Sequence, residues 1–98
     1  MLNEILTQNP DDAFARYGLA MEYSKVGQTD QALTEFHRLL TTHPDYTAGY
    51  FMAAQTLSAA GRVPEAKAML NSGIASARKS GNSHAQAEME GMLAELGG

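Results

Sequence analysis

Three histidines, a scatter of serines and a group of glutamates near the end are the side chains of this sequence that could do chemistry. A metal site needs several imidazole or carboxylate ligands converging from one face. His37 and His43 are six positions apart, about 240° around a helix, so they would not share one. His84 has no pair of carboxylates at ligand spacing beside it, and all three read as solvated surface histidines. No glycine-flanked nucleophile elbow surrounds any serine, and no phosphate-cradling loop occurs. Glu88, Glu90 and Glu95 read as a solvated face rather than an acid–base pair. The absence of cysteine removes thiol nucleophiles, disulfides and zinc–thiolate sites. The expectation is a protein without enzymatic activity, metal or cofactor.

Charge and hydropathy narrow the partners. The formal net charge is −4, and only seven Lys and Arg are scattered over 98 residues. A phosphate-backbone binder needs the opposite balance, so no nucleic-acid partner is expected. The longest uncharged stretch, Tyr46 to Gly61, is sixteen residues and contains Thr47, Gln55, Thr56 and Ser58. It is too short and too polar to span a membrane, so no membrane partner is expected either. The start has no basic n-region, and Glu4 interrupts its apolar residues. It therefore reads as no signal peptide, which leaves the cytoplasm as the default location.

The elements that must position any functional face read as helices. Alanine, leucine and methionine supply much of the 44% hydrophobic content, and no alternating run is long enough for a strand. Leu2, Ile5 and Leu6 give one apolar face to a short helix over Met1 to Asn9, which Pro10 stops. Asp11 or Asp12 caps the next helix, from about Ala13 to Val26, and Gly27 closes it. Asp30 is the expected cap of a helix over Gln31 to Thr42, ended by Pro44. The uncharged stretch follows as a helix covered on more than one side. Pro64 suits the first turn of the helix after it, which carries Gly73 inside and runs to about Lys79. Gly73 costs about 0.5–1 kcal/mol relative to alanine, so a close helix crossing is expected there. Ser83 and Gln86 read as a capping box opening a last helix to about Leu96.

The chain also repeats itself with a period of 34 residues. Pro10 maps onto Pro44, Asp11 onto Asp45, Ala20 onto Ala54, Gly27 onto Gly61 and Ala32 onto Ala66. Each helix pair is too small to bury its apolar face alone, so neighbours must stack. Alanines at 20, 32, 54 and 66 allow close helix approach.

These residues resemble the tetratricopeptide repeat, whose pattern is W-x2-L-G-x2-Y, then A-x3-F, then P. The first unit shows Arg16-x2-Leu19-Ala20-x2-Tyr23, Gly27, Ala32-x3-Phe36 and Pro44. The second shows Tyr50-x2-Ala53-Ala54-x2-Leu57, Gly61 and Ala66-x3-Leu70. A third start, Met89-x2-Met92-Leu93-x2-Leu96, fits after about five extra residues. The resemblance implies an all-α, right-handed superhelical stack of antiparallel helix hairpins with about five helices. Its parts are a half repeat over 1–10, repeats over 11–44 and 45–79, and a C-terminal capping helix over 82–97. Arg16 stands where the family places a bulky aromatic, so looser packing is expected there.

The resemblance also implies a concave face lined by the first helix of each unit, on which peptides lie. Here that face carries Phe14, Tyr17, Met21 and Ser24 in the first unit, then Ala48, Phe51, Gln55 and Ser58 in the second. The family's carboxylate clamp needs lysine, arginine and asparagine on it, whereas Tyr17, Met21, Met52 and Gln55 stand there, so no such clamp is expected. The expected function is therefore binding of a short protein segment in this groove. Two plainer readings stand beside it. Phe14, Tyr17 and Phe51 could simply pack against neighbours or a flanking segment, or the chain could be a scaffold block that forms homo-oligomers.

Overall fold

The computed structural model describes residues 2–98, so Met1, read above as the start of the first helix, lies outside the described residues. The chain forms α1 (Leu2–Gln8), α2 (Ala13–Lys25), α3 (Thr29–Thr42), α4 (Thr47–Ala59), α5 (Val63–Ser80) and α6 (Ser83–Glu95). These are six helices among the described residues, one for each of the six segments read from the sequence, where the resemblance implies about five. The first of them, α1, ends before Pro10, and the last, α6, begins after the turn at Gly81 and Asn82. Each helix packs on the next, and α4 also touches α2 and α6. The first helices α2, α4 and α6 thus form one layer, with α1, α3 and α5 in the other. The thinnest dimension is 17 Å, room for two layers whose axes lie about 8–10 Å apart.

Helix α4 is the middle of this stack. Gly49, Tyr50, Ala53, Ala54, Thr56 and Leu57 are all buried in it, which explains why this helix carries no charge. Ala20, Ala32, Ala54 and Ala66 are completely buried, as the close-approach reading requires. Phe36, Leu70 and Met89 fill the spaces between them. A smaller cluster of Leu6, Ala15 and Leu19 holds α1 against α2.

The 34-residue period is carried into the backbone. Helices α2 and α4 have thirteen residues each and start 34 apart, and α3 and α5 also start 34 apart. Gly27, Gly61 and Gly81 adopt φ of 79°, 77° and 73°, the left-handed turn that ends a helix. Helix α5 runs four residues beyond α3 in this register, while the turn after it shrinks to Gly81 and Asn82. The net shift of the third unit is therefore two residues, not about five. Met89 consequently matches Ala53 rather than Tyr50.

Asp12 caps α2 by accepting from the Ala15 amide at 2.8 Å, but two other caps differ from expectation. Helix α3 begins at Thr29, so Asp30 lies in its first turn, where Arg62 pairs with it at 3.1 Å. Arg62 also forks onto both oxygens of Glu65 at 2.8 Å, and this bonding raises the guanidinium pKa and lowers that of Glu65. The cap of α6 is Asn82, whose Oδ1 accepts from the Ala85 amide at 3.1 Å. Ser83 is already helical, so the Ser83–Gln86 box does not form, and Gln86 instead donates to Glu90 at 3.3 Å.

Arg16 corrects a third expectation. Its guanidinium pairs with the buried carboxylate of Glu35 and donates to the Pro10 carbonyl at 3.1 Å. One period later, the Tyr50 hydroxyl donates to the Pro44 carbonyl at 2.7 Å. Arginine and tyrosine thus make the same bond from equivalent positions, and the junction is tied rather than loose. Gly73 meets its expectation. A Cβ there would lie 2.4 Å from Met89 Sδ and 2.6 Å from Tyr50 Cβ, so only glycine admits both neighbours.

Two stability measurements follow from this packing. Arg16→Ala strands a buried carboxylate and should cost about 3 kcal/mol in chemical unfolding, whereas Arg16→Tyr combined with Glu35→Met, the pair found one period later, should recover most of it. A double variant no more stable than Arg16→Ala would refute the equivalence. Gly73→Ala should lower stability by about 1–3 kcal/mol despite the better helix propensity of alanine; a raised melting temperature would contradict the crossing.

Candidate functional site

The face shared by α2, α4 and α6 holds a cleft of about 260 Å³. Tyr17 comes from α2, and Thr47, Ala48, Phe51 and Met52 come from α4. The third wall is α6, with Asn82 at its cap and His84, Ala85, Glu88 and Met89 on its first turns. Helical spacing explains the α4 set, since residues three and four apart share a face.

Tyr17 is held in place by two aromatic neighbours. Its ring meets buried Phe36 edge-on at 6.5 Å and leans on Tyr46 at 5.4 Å. Burial, then the neighbouring Tyr46, pushes its hydroxyl pKa above the ordinary 10, so the phenol is neutral at physiological pH. Tyr46 is raised too, by burial and then by Asp12. Phe51 and Met52 are half-buried against the main core, and Ala48 leaves the floor between them open. At the α6 end, Asn82 donates to Thr47 Oγ1 at 3.4 Å, while His84 Nε2 lies 3.8 Å from Glu88 Oε1, beyond hydrogen-bond reach.

The sequence-read groove set divides here. Tyr17, Ala48 and Phe51 come together in the cleft. Met21 and Ser24 lie apart, in a shallow hollow with Glu22 and Lys25 near the end of α2. Ser24 also has a packing role. The Thr56 hydroxyl donates to the Met52 carbonyl at 2.8 Å, which leaves Ser24 to donate to Thr56 Oγ1 at 2.7 Å and clip α2 to α4. Gln55 is exposed and lines neither hollow, and Phe14 is 76% exposed and lines neither.

Sequence reasoning missed the α6 wall. Glu88 and His84 are exposed, as the sequence reads them, but they also line the cleft, which a third unit delayed by about five residues does not reveal. The cap positions Asp12 and Asn82 carry the signal that finds it. Aligned on them, His84 falls at the position of Ala48 and Glu88 at that of Met52, both on the cleft face. Among the described residues no three His, Asp or Glu side chains gather as metal ligands. No described helix is long and apolar enough to cross a membrane. What the cleft offers is an aromatic and thioether surface with one carboxylate at its edge.

Comparison with known proteins agrees with this architecture. The chain is 30% identical to the TPR repeat-containing protein PA0015 of Pseudomonas aeruginosa over 95 residues, covering 97% of this chain and 90% of that protein. The solution structure of a tetratricopeptide repeat domain protein from Salinibacter ruber superposes with a TM-score of 0.82 at 30% identity, over 90% of this chain and 89% of that one. PcrH, solved in complex with the chaperone binding region of PopD, shares the fold with a TM-score of 0.86 at 20% identity, over 97% of this chain and 72% of that one. Tetratricopeptide repeat models match residues 23–95 and 1–34. The repeating helix pairs, their alanine contacts and these matches make the chain a member of the tetratricopeptide repeat family, in general a non-enzymatic protein-interaction fold.

Proposed function

We propose that the chain is a protein-binding module without enzymatic activity, which holds a short segment of another protein across its α2–α4–α6 face. Two repeats over 11–44 and 45–79 would carry it, with the helices before and after completing the stack. The observation behind this reading is the cleft joining Tyr17, Ala48 and Phe51 to Met52 and Met89. Such a surface suits apolar side chains, and methionines adapt to their shape. Tyr17, braced by Phe36 and Tyr46, loses little freedom when it makes a contact, which favours affinity. A stack of this fold holds a partner's segment in PcrH, which supports the reading for this one.

A second reading, self-association, draws on the exposed Phe14, Val26 and Ile5. Sedimentation across a concentration range separates the two: a strict monomer at high concentration removes it.

The groove is tested by affinity capture from native extract with Phe51→Ala as the control. Phe51→Ala and Tyr17→Ala should each weaken a captured partner by about 2 kcal/mol, with helicity unchanged by circular dichroism. A partner that binds both variants as tightly as the wild type would show that the segment lies elsewhere.

A further inference from the structure

Resting on the groove reading, we infer that the bound segment is apolar with a lysine or arginine next to its anchor residue, held by Glu88. The cleft is apolar over Tyr17, Phe51, Met52 and Met89, and Glu88 is its one carboxylate. No lysine or arginine lines it. Elsewhere on the chain Arg16 pairs with Glu35, Arg62 with Asp30 and Glu65, and Arg78 stands 4.0 Å from Glu90.

Of the other polar groups of the cleft, Asn82 and Thr47 are bonded to each other. Asn82 caps α6 through its Oδ1 and donates to Thr47 through its Nδ2. Tyr17 has a raised pKa and carries no charge at neutral pH. Glu88 is half-exposed, and the His84 imidazole stands 3.8 Å from it, beyond hydrogen-bond reach, so its oxygens are free to accept from a ligand. A long cationic side chain fits such a place. Its methylene stem lies along apolar surface while its head reaches the carboxylate. A ligand ending in a carboxylate meets the reverse. Glu88 repels it, and a chain of net charge −4 adds to the repulsion.

Selection of a displayed random-peptide library on the full chain tests this. Enriched peptides should carry Lys or Arg beside Leu, Phe or Met. A selected peptide should bind Glu88→Gln about fivefold more weakly and Glu88→Lys at least about tenfold more weakly. Glu4→Lys, the same change of net charge on α1, should stay within about twofold of wild type, because salt screens distant charges. If Glu88→Lys keeps full affinity while Phe51→Ala loses it, the groove stands and the charge preference falls. If the selected peptides bind Phe51→Ala and Tyr17→Ala as tightly as wild type, or the library yields no binder, the groove reading falls and takes this inference with it.

Discussion

The α2–α4–α6 face depends on how closely α5 lets α4 and α6 approach it. At Gly73 the α5 backbone has no side chain, and Tyr50 from one neighbour and Met89 from the other fill that space together. A methyl group there would push at least one of them away. Met89 is buried because of this, and it is also the residue through which the core reaches the cleft wall. Packing on the inside of the stack thus sets the width of the opening on the outside. The energetic cost of a glycine within a helix is modest, and burying Met89 offsets it by an amount of the same order or more.

The repeat was legible because it rests on residues with few alternatives. A proline cannot continue a helix, a glycine alone takes the left-handed turn cheaply, and a buried alanine marks a contact too close for anything larger. Those constraints act locally, so their spacing survives in the sequence and places the first five helices. Less legible was the third unit, where α5 gains a turn and the following linker loses residues. Apolar spacing alone allows several registers there, since Met89 fits either a Tyr50-like or an Ala53-like position. The caps decide between them, and a cap depends on which single residue faces the amides. Asn82 and Ser83 are both good candidates on paper.

The candidate site was legible only in part, for the same reason. Tyr17, Ala48 and Phe51 follow from one helix face repeated after one period. Ser24 occupies that face too, yet a buried Thr56 recruits its hydroxyl, and no pattern within a single helix reveals such a partner 32 positions away. The Arg16 position shows how loosely a family pattern constrains chemistry. An arginine with a buried glutamate and a tyrosine reach the same kind of carbonyl, one with a charge and one without. What is kept is the bond that pins the turn, not the side chain that makes it.

The small cluster under α1 has a consequence of another kind. Seven residues are too few to form a stable helix alone, and Leu6 is the one side chain α1 buries. Its cluster with Ala15 and Leu19 is separate from the main core. Tyr17, although it sits on the same helix as Ala15 and Leu19, leans on Phe36 and belongs to the other side. The described stack is therefore graded in stability, with α1 held by fewer buried contacts than the helices of the main core. Loss of the α1 contacts leaves the α2–α4–α6 face standing.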